Sequence, residues 1–173
     1  MNIIISKPKG INIASGGMKK IALLQSLQLT KENTLSFFDL DDKSLQLTYG
    51  FGKWNIREIL HHLTDTELIY HDRIKRIIAE PQPIAWGINQ DTWNYMFGYK
   101  HGSLNMKKQT FAACRELNYE LTEQFYDLYG HKQFVHSQTG LSTLKDAFEK
   151  IVLHNQSHLN QMQKALTCQD VGL

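Results

Sequence analysis

Apolar positions recur at helical spacing in four separate runs of the chain. From Lys19 to about Phe38 they fall at Ile21, Leu24, Leu27, Leu35 and Phe38, with polar Lys31 and Thr34 weakening the stripe; Asp39, Asp41 and Asp42 then break it. The stretch from Lys53 to Pro83 is the clearest helix. Asn55 caps it, Glu58 three residues later completes a capping-box signature, and Pro81 and Pro83 stop it. Its stripe is Ile56, Ile59, Leu60, Leu63, Tyr70, Ile74, Ile77 and Ile78. A third helix spans about Leu104 to Tyr129 on Phe111, Cys114, Leu117, Leu121, Phe125 and Leu128, with Gly130 as its C-terminal cap. After a short extended piece around Phe134, Ser142 caps a fourth helix to about Leu166, with Leu144, Phe148, Ile151, His158, Met162 and Ala165 on one face.

Four amphipathic helices with few strand signals predict an all-α fold, an antiparallel four-helix bundle. Residues 82–102, between helices two and three, form a long connection carrying Trp86, Trp93, Tyr95, Phe97 and Tyr99. A connection this long and aromatic is packed or functional rather than a free linker, and Trp86, Trp93 and Tyr95 are the candidates to line a substrate pocket. Residues 1–17 have no helical period and read as an N-terminal arm, or as an extension ahead of a chain that starts at Met18. The bundle spans 18–168, and 169–173 form a tail.

At 173 residues the chain has the length of one domain and buries a core without staples. A net charge of +2 gives no electrostatic case for nucleic acid, and no apolar run approaches a membrane span. The first ten residues lack the apolar stretch of a signal peptide. Cys114 and Cys168 form no CxxC and read as free thiols of a reducing compartment, so the expected location is the cytoplasm.

Chemistry concentrates in the histidines. His154 and His158, four apart, share one face of helix four. The zinc-protease pattern has the same spacing, with a glutamate base directly after the first histidine; here that place is Asn155. Alone, the pair reads as hydrogen-bonded core histidines. Helix two adds His61 and His62, which lie about 140° and about 120° from the centre of its stripe, so periodicity leaves both open as a third ligand. Three imidazoles from facing helices hold a transition metal with positions left open. His71, His101, His131 and His136 read as surface residues, and Arg73, Lys75 and Arg76 as a solvated helix face. Met162 reads as core and Trp54 as packing at the bundle end. Asp65 is either an acceptor behind a ligand imidazole or a surface partner of His61.

The segment from Lys53 to Glu67, followed much later by His154 to Met162, resembles the DinB-like superfamily, in its YfiT-like branch of metal-dependent hydrolases and low-molecular-weight-thiol transferases. Trp54, His62, Leu63 and Asp65 match the family's second helix, and His154, His158 and Gln161 its last. The resemblance covers roughly 18–166. It implies a metal triad of His62, His154 and His158, and so selects His62 over His61. Asp65 and Asn155 are then candidates for a supporting role behind the ligands.

Three neutral imidazoles suit one divalent transition ion, with zinc or nickel the expected metals. Such an ion acidifies a bound water or holds a thiol as thiolate. Hydrolysis wants a base beside the water, and Asn155 stands where a protease has one. A thiolate needs none. The expected activity is therefore transfer of a small thiol to an electrophile, with hydrolysis of a small amide or ester as the alternative and a non-enzymatic, stress-linked binding module as the third reading. The aromatic connection and outer helix faces are consistent with a homodimer.

Overall fold

The computed structural model describes residues 18–167; the expected N-terminal arm and tail lie outside the described residues. The elements follow in the order α1 (Lys20–Phe37), α2 (Asp42–Leu45), α3 (Ile56–Ala79), β1 (Ile84–Ala85), α4 (Gln90–Met96), a 3-10 turn (Tyr99–His101), α5 (Lys107–Tyr129), β2 (Gln133–His136), β3 (Gly140–Thr143) and α6 (Leu144–Thr167). The long helices α1, α3, α5 and α6 form a four-helix bundle. α1 and α3 each pack against both α5 and α6, while the pairs α1/α3 and α5/α6 face each other across the diagonals.

Side-chain pairs fix the helix directions. Lys31 meets Glu116 and Lys20 meets Asp127, so α1 and α5 are antiparallel. His62 lies against His158 and Tyr70 against His154, so α3 and α6 are antiparallel as well. Glu67 pairs with Arg115 and His71 with Asn118, however, so α3 and α5 run parallel. Met18 with Glu149 and Thr34 with Asn155 make α1 and α6 parallel too. Parallel neighbours that follow one another in the chain need a crossover. Residues 80–106 provide it, and they are more structured than the sequence suggests, holding β1, α4 and the 3-10 turn. β1 pairs parallel with β2, and β2 pairs antiparallel with β3, which makes a small sheet at one end of the bundle.

Local signals explain the ends of the helices. The Asn55 side chain accepts from the Glu58 amide at 2.8 Å while the Glu58 carboxylate accepts from the Asn55 amide at 2.7 Å, which is the expected capping box. α6 is capped not by the expected Ser142 but by Thr143, the last residue of β3 and the one directly before the helix: its amide donates to Asp146 Oδ2 at 2.8 Å, and the Asp146 amide donates back to Thr143 Oγ1. Gly130 does follow α5, but with φ −55° it makes no left-handed cap. A Cβ there would sit 2.2 Å from the Tyr126 carbonyl oxygen of α5 itself and 2.6 Å from Lys145 Cγ of α6, so the glycine is required by the turn that ends α5 and by the side chain packed on it.

The core has two apolar clusters. One gathers Leu27, Ile74, Ile77, Tyr126, Phe148 and Ile151, and the other Phe37, Ile59, Leu63, Phe111, Leu159 and Met162. Between them lies a buried polar layer. Arg115 and Glu67, 1% and 2% exposed, form an ion pair. Arg115 also donates to the Leu27 carbonyl at 3.1 Å and to Thr30 Oγ1 at 2.8 Å, and Asn118 donates to Glu67 Oε2 at 2.9 Å. This layer corrects two predicted stripes. On α1 the inward residues are Leu23, Leu27, Thr30, Thr34 and Phe37, and Ile21 is exposed. On α5 they are Phe111, Cys114, Arg115, Asn118, Thr122 and Tyr126, while Leu117 and Leu128 face solvent. The predicted faces of α3 and α6 hold, Met162 included. Among the described residues, no helix is long and apolar enough to cross a membrane.

Candidate metal centre

α3 and α6, antiparallel and in contact, bring His62 level with His154 and His158. One nitrogen of each of the three imidazoles lies within 4.8 Å of the others. His62 Nε2 and His154 Nε2 are 3.1 Å apart. The three rings meet edge to face, with centroids 4.6 to 5.0 Å apart. Nitrogens bound at about 2.0–2.1 Å to one tetrahedral ion stand roughly 3.3 Å from each other. The donor set and its spacing therefore fit one transition-metal ion.

The surroundings hold these rings in position and keep them neutral. His158 Nδ1 is 2.8 Å from Gln161 Oε1. The amide oxygen can only accept, so Nδ1 carries the hydrogen and Nε2 keeps a free lone pair. Trp54 packs on the cluster, edge-on to His62 at 5.1 Å and parallel to His158 at 6.5 Å. Burial, then the neighbouring His158, lowers the His62 pKa to about 3. Burial first, then the other two rings, holds His154 well below the usual value, and burial lowers His158. Neutral imidazole is the form that binds metal.

The neighbouring His61 goes elsewhere. It is buried, as His62 is, but stacks on Tyr99 at 4.9 Å, and a Cβ at Gly102 would lie 2.7 Å from its Nε2. The surface pairing of His61 with Asp65 is thus replaced by stacking on the crossover. Asp65 does not support a ligand ring either: its oxygens accept from Tyr99 Oη and from Lys107 Nζ. Asn155 points to α1, where its Oδ1 accepts from Thr34 Oγ1 at 3.1 Å. Helical geometry accounts for Asn155, since the position next to His154 is turned by about 100° to another face. Asp65, three from His62 and so near its face, is drawn away by Tyr99 and Lys107.

A cavity of about 360 Å³ opens beside His62 and His154 and follows the groove between α3 and α6 toward the sheet. Its wall from the crossover is Gly87, Ile88 and Gln90, not the expected Trp86, Trp93 and Tyr95. Trp86 and Tyr95 are exposed, and Trp93 packs edge-on to Phe97 at 5.7 Å. Two residues read from the sequence as surface, His136 and Arg73, line the cavity, as does Lys150. Their signal was weak because the wall draws on a hairpin and a crossover whose arrangement local sequence does not encode.

Comparisons with known proteins place the chain's family and fold. A putative metal-dependent hydrolase of Oceanobacillus iheyensis is 28% identical over 131 residues, covering 74% of this chain and 73% of that protein. One of Bacillus cereus is 28% identical over 144 residues, covering 80% and 81%. The solved structure of YfiT from Bacillus subtilis, described as a probable metal-dependent hydrolase with an unusual four-helix bundle topology, superposes with a TM-score of 0.77 at 19% identity, over 96% of this chain and 95% of that one. The family model itself matches residues 26–162, a span that contains all three clustered histidines, the whole of α3 and most of α6, and on that match the chain belongs to the DinB superfamily.

Proposed function

We propose that this chain is a metal-dependent enzyme acting on a small molecule, with His62, His154 and His158 holding one divalent transition ion, zinc or nickel. The observation that carries the reading is the convergence of three neutral imidazole nitrogens, on buried and half-buried rings, with His62 and His154 lining a cavity. The alternative of an incidental, non-enzymatic site calls for shallow rings with diverging nitrogens. The ion would supply a lowered pKa to a water or thiol that it binds. The protein's own residues do the rest. Gln161 sets the tautomer of His158, Trp54 packs against two of the rings, and the cavity receives the second reactant.

Transfer of a small thiol to an electrophile is the first reading, because the nearby carboxylates are committed. Glu67 is paired with Arg115, Asp65 with Lys107, and Asp146 with Thr143. Among the described residues these three carboxylates are thus engaged by other partners, which disfavours them as a base for water, whereas a thiol bound as thiolate by the ion needs no such base. The relatives named metal-dependent hydrolases favour the second reading, hydrolysis of a small amide or ester. Metal-loaded protein assayed with small thiols plus a chromogenic electrophile, beside esters and amides, separates them. Turnover that requires thiol and disappears in His158→Ala supports transfer. Thiol-independent turnover with the same metal dependence supports hydrolysis, and silence in both assays removes the enzymatic reading. A cytoplasmic homodimer remains the expected setting, and a monomer in sedimentation at micromolar concentration would exclude the dimer.

A further inference from the structure

The cavity beside the histidines is asymmetric in charge. Arg73 of α3 and Lys150 of α6 line it from its two long walls, and His136 of β2 lines it from the sheet. Among the described residues, neither Arg73 nor Lys150 belongs to an ion pair, although Arg57, Arg76, Lys107, Lys108 and Arg115 all do. Arg73 uses one donor on the Trp86 carbonyl, and a guanidinium has five. One acidic residue, Asp146, also lines the wall; its Oδ2 accepts from the amide and hydroxyl of Thr143, at 2.8 and 2.7 Å, and it forms no ion pair with either cation, so the two cations outweigh it. His136 Nδ1 accepts from the Gln138 amide at 3.3 Å, which leaves the ring hydrogen on Nε2 as a donor. Burial first, then Arg73 and Lys150, lowers the pKa of His136, so both cations act on it and the ring is neutral near pH 7. The remaining wall is apolar, with Ile77, Ile88, Phe134 and Ala147.

Two unpaired cations and an N–H donor around an apolar groove form a receptor for an anion with a hydrophobic body. We propose that the substrate of this cavity carries a carboxylate, held by Arg73 and Lys150 with His136 donating to it, while its apolar part lies along Ile77, Ile88 and Phe134. This rests on reading the cavity as the substrate site, but not on the metal being bound. The opposite end of the same substrate then faces His62 and His154.

Calorimetric titration with phenylacetate and with its neutral isostere phenylacetamide tests the assignment, on metal-free and on metal-loaded protein. Metal-free protein should prefer the carboxylate by roughly tenfold at low salt, and the preference should fall as salt rises. Lys150→Gln, an exposed position that leaves the fold intact, should remove most of it. Arg73→Lys, which keeps the charge and spares the crossover, should retain most of it. Equal binding of the two probes to metal-free protein would overturn the proposal. So would a preference that survives Lys150→Gln, or one that appears only with metal, since the carboxylate would then be a metal ligand. That last result leaves the metal centre standing. Carboxylate preference in a protein that binds no metal would leave the anion site standing and sink the metal reading.

Discussion

Two groups of buried polar side chains lie within the bundle, and they differ in what they lack. The layer around Arg115, Glu67 and Asn118 is nearly closed on itself: cation meets anion, and amide and hydroxyl groups take up most of the remaining donors and acceptors. The cluster of His62, His154 and His158 holds three similar groups with no opposite charge beside them and nitrogens turned inward. Polar groups inside a protein need partners. The first set finds them within the chain and serves structure. The second has a contact between His62 and His154 and one from His158 to Gln161, and its converging nitrogens are where the proposed metal ion would bind.

The largest contrast comes from breaking the closed layer. Glu67→Ala leaves Arg115 as an uncompensated buried charge and should cost about 3–5 kcal/mol in chemical denaturation, or prevent folding. The variant Arg115→Met with Glu67→Leu, which removes both charges together, should recover most of that loss. Next, His158→Ala should lower bound metal from one ion per chain to none by elemental analysis, with a stability cost of about 1 kcal/mol in the metal-free protein. His61→Ala should keep its metal; the reverse result, loss in His61→Ala and retention in His62→Ala, would show the wrong histidine at the centre.

Acid sharpens the comparison further. The folded pKa of His62, about 3, lies below the unfolded value of about 6.5, so the unfolded chain takes up the proton first. Stability of the metal-free protein should therefore decline as pH falls from about 6.5 to about 3. Measured by denaturant titration across that window, His62→Gln should show a slope smaller by up to about one proton. Thr34→Val has the smallest expected effect. It removes the hydroxyl whose hydrogen is shared between the Thr30 carbonyl at 2.8 Å and Asn155 Oδ1 at 3.1 Å, and should cost about 1 kcal/mol, with metal content unchanged.

The four helices were legible because α3 and α6 bury faces that are apolar in sequence. α1 and α5 were found as helices but rotated, because part of what they bury is Thr30, Thr34, Arg115, Asn118 and Thr122, and an apolar stripe cannot register a polar interior. Helix direction was not legible, since a stripe reads the same either way. The available sign was the length of residues 80–106. α4 had a local signal that went unread: the Asn89 side chain accepts from the Thr92 amide at 3.0 Å. The histidine triad came from resemblance to a family rather than from periodicity, which left His61 and His62 open. Both proved to be buried because α3 is covered on several sides, by α5, α6 and the crossover. The cavity cations were misread for a related reason: Arg73 sits on the polar side of α3, and the hairpin that covers it is distant in sequence.

The two-residue pairing of β1 with β2 sets the lifetime of the cavity wall. It rests on the amide of Val135 donating to the Pro83 carbonyl at 3.2 Å and that of Ser137 donating to the Ala85 carbonyl at 2.9 Å. Those bonds join the crossover to the hairpin, so they can part while the four helices stay packed. The Val135 and Ser137 amides should accordingly exchange their hydrogens through a local opening, faster than amides in the middle of α3 and α6, where exchange waits for global unfolding. Their exchange rates read how often the groove stands open, and a small acid seated between Arg73 and Lys150 would slow both together.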